Sequence, residues 1–139
     1  MNSSAAVSAE LGLSLVVPDH GSVPLVASLH YSAEDPYAIR MAFHVGTDEP
    51  VEWIFARDLL AVGLEGPAGE GDVQVWPADE HGHELLNIAL SSPFGEAHFE
   101  APRSSTAAFL SRTYEVIAPG HEADYIDVET ELDELLWRA

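Results

Sequence analysis

The chain contains no cysteine and no lysine. Without cysteine it can form no disulfide, thiolate metal site or thiol nucleophile, and its composition fits a reducing compartment. The basic complement is five arginines, at positions 40, 57, 103, 112 and 138. They stand against 24 acids, for a formal charge of −19. No apolar run approaches the roughly 18–20 uncharged residues of a membrane span. The opening segment MNSSAAVSAE has neither a basic start nor a long apolar stretch, so it does not read as a secretory signal.

What is present is a hydrophobic fraction of 47 % in 139 residues. That is enough apolar material for the core of one domain spanning residues 1–139, with residues 1–7 expected to be flexible. It is too much for a disordered acidic tail. The expectation is a folded body with an acidic surface. Such a surface repels phosphate backbones and anionic headgroups. Nucleic-acid affinity rests on basic side chains that displace counterions, and five scattered arginines supply few.

The first half alternates with period two. Ala9, Leu11, Leu13, Leu15 and Val17 form one run; Val23, Leu25, Ala27, Leu29 and Tyr31 form the next. Tyr37, Ile39, Met41, Phe43 and Val45 form a third, and Val51, Trp53 and Phe55 a short fourth. Asp19–Gly21, Ser32–Pro36 and Thr47–Pro50 read as the connections. The period then lengthens. Ala56–Leu64 reads as a helix, with Gly63 placed to end it in a left-handed conformation. After a glycine-rich loop, Glu65–Asp72, the spacing predicts a strand over Val73–Trp76 that Pro77 stops. A polar hairpin over 78–84, a strand over Glu84–Ser92, a turn at Pro93–Gly95 and a strand over Glu96–Glu100 follow.

Two helices close the pattern. The first has Pro102 in its opening turn and Ala107, Leu110, Tyr114 and Ile117 on one face. Ala118–Glu122 interrupts it. Val128, Leu132, Leu135 and Leu136 mark the second. The fold class is therefore α+β, with mostly antiparallel sheets and an imperfect repeat: four strands and a helix, then three strands and two helices.

Candidate chemistry is sparse. His81 and His83, flanked by Glu80 and Glu84, would share one side of an extended hairpin and could offer ligands to a divalent metal. The bland reading is a solvated hairpin tip. His30 and His44 fall on polar strand faces and read as surface or interface residues. Trp53 shares a face with Val51 and Phe55 and reads as core. Trp76 and Trp137, at element ends, read as half-exposed, where tryptophan often anchors interfaces. No nucleophile motif or phosphate loop is present.

Several segments together resemble the SsgA-like family of sporulation-specific cell-division proteins. They are ELGLSLVVP (10–18), DPYAIRMAFH (35–44), VEWIFARDLLAVGL (51–64), GDVQVWP (71–77) and IALSSPFGEAHFEAP (88–102). AFLSRT (108–113) and VIAPGHE (116–122) extend the resemblance over nearly the whole chain. It implies a fold like that of Whirly-type and mitochondrial RNA-binding proteins. It implies a non-enzymatic scaffold without cofactor or metal, in the cytoplasm at the division septum during sporulation. That scaffold would recruit FtsZ to future septum sites and promote Z-ring assembly, alongside an SsgA-like partner. It implies a homo-oligomer, expected as a trimer, without direct membrane insertion. Binding of single-stranded nucleic acid, the activity of the Whirly-like relatives, is the competing reading, and the charge opposes it. Within the recognised motifs, Arg57 and Trp76 are expected to contribute to a partner or self-association surface.

Overall fold

A computed structural model describes residues 5–44, 49–93 and 95–125. Strands β1 (Ala6–Val17), β2 (Gly21–Ser32), β3 (Asp35–His44) and β4 (Val51–Ala56) precede helix α1 (Arg57–Gly63). Strands β5 (Val73–Glu80), β6 (His83–Ser92) and β7 (Gly95–Pro102) lead into helix α2 (Arg103–Val116) and a 3-10 turn, Glu122–Tyr125. The two strand groups form one sheet, in the order β4-β3-β2-β1-β7-β6-β5, with every pairing antiparallel. The expected strand–helix repeat is present, but its halves share that sheet. β1 begins at Ala6 and buries Val7, so order starts inside the segment expected to be flexible. The terminal helix predicted around Val128–Leu136 lies outside the described residues, as do Thr47 and Asp48 of the Thr47–Pro50 turn and Phe94.

The join between the halves is narrow. β1 meets β7 only through Ser14↔Glu100 and Leu15↔Phe99. The sheet curls about this seam. Phe43 of β3 stacks on Phe99 of β7 with ring centroids 4.2 Å apart, although β2 and β1 lie between their strands. A flat sheet would separate those strands by about 14 Å. The inner face carries the alternating apolar residues: Leu11 and Leu13, Ala27, Leu29 and Tyr31, Ile39, Met41 and Phe43, then Val75, Leu86 and Ile88. Leu60 of α1 and Phe109 and Leu110 of α2 close over them.

Three local expectations need correction. Pro77 does not stop β5; it sits within it, opposite Leu86. β5 is an edge strand, and proline's missing N–H is tolerated where no further strand needs it. Gly63 is not a left-handed cap, since its φ is not positive; it is the last residue of α1, and Leu64 caps the helix in a right-handed conformation. The buried stripe of α2 runs through Thr106, Phe109, Leu110 and Thr113, leaving Ala107 and Tyr114 at its margin. Thr106 Oγ1 donates to the Pro102 carbonyl at 2.9 Å and Thr113 Oγ1 to that of Leu110 at 2.6 Å. Both hydroxyls are satisfied inside the helix, so the threonines pack as apolar residues do.

Candidate functional site

Arg57 opens α1 directly after β4, and its side chain points inward, 2 % exposed. Nη1 donates to the carbonyl oxygens of Ile117 (2.8 Å) and Thr113 (3.2 Å); Nη2 donates to Glu122 Oε2 (2.8 Å). The guanidinium carbon lies 4.8 Å from the centre of the Tyr31 ring and 5.0 Å from that of Tyr114. The last carbonyls of a helix lack intrahelical partners and carry its negative pole. α2 has no basic residue in its own last turn. Arg57 supplies that cation from 56 residues earlier in sequence and fastens β4–α1 to the end of α2. It is therefore an internal pin and not part of the molecular surface, which corrects its expected place in a partner interface.

The ion pair has a pH signature. The hydrogen bond from Arg57 holds the Glu122 carboxyl below its ordinary range, aided by the Gly120 N–H, which donates to Oε1 at 2.9 Å. A carboxylate whose folded pKa is depressed stabilises the fold above its unfolded pKa, about 4.3 for glutamate. That contribution disappears as pH falls through the lower, folded value. In urea titrations, wild type should exceed Glu122→Gln in stability at neutral pH. The gap should narrow as pH falls below the ordinary carboxylate range. A gap constant from neutral pH to acid would show that the pair carries no linked proton.

Trp76 lies on the outer face of the sheet, half-buried. Its ring sits 5.4 Å from that of His98 on β7, tilted by 34°. His98 Nε2 is hydrogen-bonded to Asn87 Oδ1 at 2.7 Å, and Asn87 is 4 % exposed beneath the two rings. The two rings, with Gln74, Ala89 and Glu96, line a cleft of about 370 Å³. The platform is rigid and aromatic, with a polar floor. Trp53 packs against the core, as its spacing predicts. The expectation named Trp76 but not His98 or Asn87. The register pairs Trp76 with Asn87 and sets His98 one strand further on. A strand alignment could have found them; local motifs could not.

The DEHGHE hairpin does not have the geometry that its spacing predicts. His81 (φ 52°) and Gly82 (φ 82°) form the two-residue turn, while His83 starts β6 opposite Glu80. Both turn residues take left-handed angles, as tight hairpins of this kind require. His81 is therefore not on the extended face it was to share with His83. Among the described residues, no group of three or more histidine, aspartate or glutamate side chains converges where a metal could be held.

Residues 25–122 match the family model described as SsgA, the Streptomyces sporulation and cell division protein. The chain is 56 % identical over 135 residues to the sporulation-specific cell division protein SsgB of Thermobifida fusca, covering 97 % of this chain and 98 % of that one. It is 51 % identical over 130 residues to the SsgB of Streptomyces coelicolor, covering 94 % and 95 %. A solved structure from a study correlating mutations in SsgB with longitudinal cell division during sporulation of Streptomyces coelicolor superposes with a TM-score of 0.87. It is 49 % identical and covers 91 % of this chain and 99 % of that one. The SsgA-like protein of Thermobifida fusca also gives 0.87, at 55 % identity, covering 96 % and 98 %. A curled antiparallel sheet with two helices, matched nearly end to end in sequence and structure, places this chain in the SsgA family of sporulation and cell-division proteins.

Proposed function

We propose that the chain is a non-enzymatic scaffold of sporulation septation. In this reading it works in the cytoplasm at the division septum as a homo-oligomer, expected as a trimer. It brings FtsZ to future septum sites, promotes Z-ring assembly and acts beside an SsgA-like partner. The observation that carries the reading is the full-length match to SsgB proteins, one of which has mutations that correlate with longitudinal division. A septum laid along the wrong axis is the defect a positional scaffold would produce.

The distribution of cations favours this over binding of single-stranded nucleic acid. Among the described residues, Arg57 is buried, Arg103 is bound to the Leu64 carbonyl and Glu65, and Arg112 donates to the Ser8 carbonyl. Arg40 is half-exposed and 3.7 Å from Glu52. Among the described residues these arginines leave no basic track for a phosphate backbone. Among the described residues, no helix is long and apolar enough to cross a membrane. Association with FtsZ should therefore rest on apolar and aromatic surface, with the Trp76–His98 platform one contact.

The test is co-sedimentation with purified FtsZ polymers in GTP. The chain should enter the pellet and raise the polymer mass, and Trp76→Ala should pellet less while its far-UV spectrum stays native. If the wild-type chain remains in the supernatant and polymer mass is unchanged at low and moderate salt, the reading fails.

A further inference from the structure

The cleft over Trp76 and His98 has a one-sided chemistry. Trp76 pairs with Asn87 across β5 and β6, and Asn87 with Glu100 across β6 and β7. On β7, Glu96, His98 and Glu100 alternate with Ala97 and Phe99, which pack into the core. All three therefore share the outer face, with each glutamate about 7 Å along the strand from His98. Glu96 is exposed and lines the cleft together with the two rings. Val16 and Pro18 give it an apolar rim.

What these groups offer a visitor is electron density. The face of a tryptophan ring carries the negative side of its quadrupole. His98 Nε2 faces the Asn87 amide oxygen at 2.7 Å and so carries the ring's proton, which leaves Nδ1 of the neutral imidazole as an acceptor. Ionised carboxylates only accept. Among the described residues, no arginine lines the cleft, and each is engaged elsewhere. The site thus has acceptors and a π face, and the cation that would answer them must come from outside.

We infer that this cleft receives an arginine side chain from a segment of the protein partner. The inference rests on the FtsZ reading above and gives that contact its chemistry. A guanidinium is flat, weakly hydrated and rich in N–H donors, so it stacks on an indole while donating to carboxylate and imidazole at its edge. An ammonium does one or the other. The apolar rim suits the stem of the side chain and the residues beside it, which favours a peptide segment over a free amino acid. A body of charge −19 draws cations from a distance, and the cleft then selects among them. His98 is already held by Asn87, so little side-chain order is lost on binding.

NMR of the isotope-labelled chain, titrated with millimolar capped Gly-Arg-Gly, tests the assignment. The Trp76 indole N–H and the amides of Glu96 to Glu100 should shift saturably, and less in added salt. Capped Gly-citrulline-Gly, of the same shape without the charge, should leave them in place. Trp76→Ala, followed at His98, and the pair Glu96→Gln with Glu100→Gln should each weaken binding by about two- to five-fold. The pair Glu52→Gln with Glu115→Gln removes as much charge from exposed sites on β4 and α2, and should bind as wild type does. With FtsZ polymers, the first glutamate pair should pellet less than the second. Shifts spread over the surface that spare Trp76, or an equal response to the citrulline peptide or to capped Gly-Phe-Gly, would overturn the inference. So would equal pelleting of the two glutamate pairs when wild type pellets. Wild type left in the supernatant, with the arginine peptide still seated on Trp76, would overturn the FtsZ reading and uphold the chemistry of the cleft.

Discussion

Replacing Arg57 with alanine is expected to lower the melting temperature by roughly 10–15 °C. The guanidinium makes three hydrogen bonds and lies against two tyrosine rings while 2 % exposed. Its loss strips the last carbonyls of α2 of a donor, leaves Glu122 without its cation and opens a void between Tyr31 and Tyr114. Removing one partner of a buried ion pair costs about 3–5 kcal/mol. Each kcal/mol moves the midpoint by about 2–8 °C across small domains. Against a total stability of about 5–15 kcal/mol, that is a large share. Arg57→Lys should recover only part, since one ammonium cannot serve two carbonyls and a carboxylate with the fixed fork of a guanidinium. Thermal melts of the three proteins decide it: a shift of a few degrees or less for the alanine variant would mean that the pin is not structural. Any loss of assembly by Arg57→Ala must be measured well below its own midpoint, or unfolding will pass for a lost contact.

The strands were legible because one face of each is buried and the other is not. Period two then survives in the sequence, as Leu11 and Leu13 or Ile39, Met41 and Phe43 show. Pro77 misled because its tolerance depends on being at an edge, and the order of strands in a sheet is a tertiary fact. On α2 the threonines hid half the buried stripe, since their polarity is cancelled by bonds within the helix. Arg57 left a faint signal. An arginine inside VEWIFARDLL, in a chain nearly without cations, is better explained by burial with partners than by solvation. Its partners lie 56 to 65 residues away, so local spacing could not name them. The Trp76 platform was half visible for the same reason. The tryptophan stands in a recognisable motif, but His98 and Asn87 reach it only through pairing of three strands.

Gly63 carries the other large effect, and two opposing forces decide its sign. In a helix, alanine is favoured over glycine by about 1 kcal/mol, so Gly63→Ala should stabilise α1 if nothing else intervened. A Cβ at this position, however, would overlap the Val75 side chain: it would lie 2.7 Å from Val75 Cβ and closer still to Cγ1. Val75 cannot retreat. It is fully buried, pairs with Ile88 on one side and exchanges two backbone hydrogen bonds with Ala68 on the other, at 2.8 and 2.9 Å. α1 must therefore shift away from β5, which also drags on Arg57 at its other end. Overpacking of this kind costs about 1–3 kcal/mol, enough to outweigh the propensity gain. Gly63→Ala should thus destabilise the fold, and Gly63→Val should do so more severely. Val75→Ala alone should also destabilise, by leaving a void, but the double variant should lose less than the sum of the two. A coupling of about 0.5 kcal/mol or more in that direction is the expected result of a urea double-mutant cycle. Part of the overlap, between the two Cβ atoms, would persist, so the rescue should be incomplete. Were Gly63→Ala as stable as wild type, α1 would be free to move off β5, and the glycine would owe its place to something other than close approach.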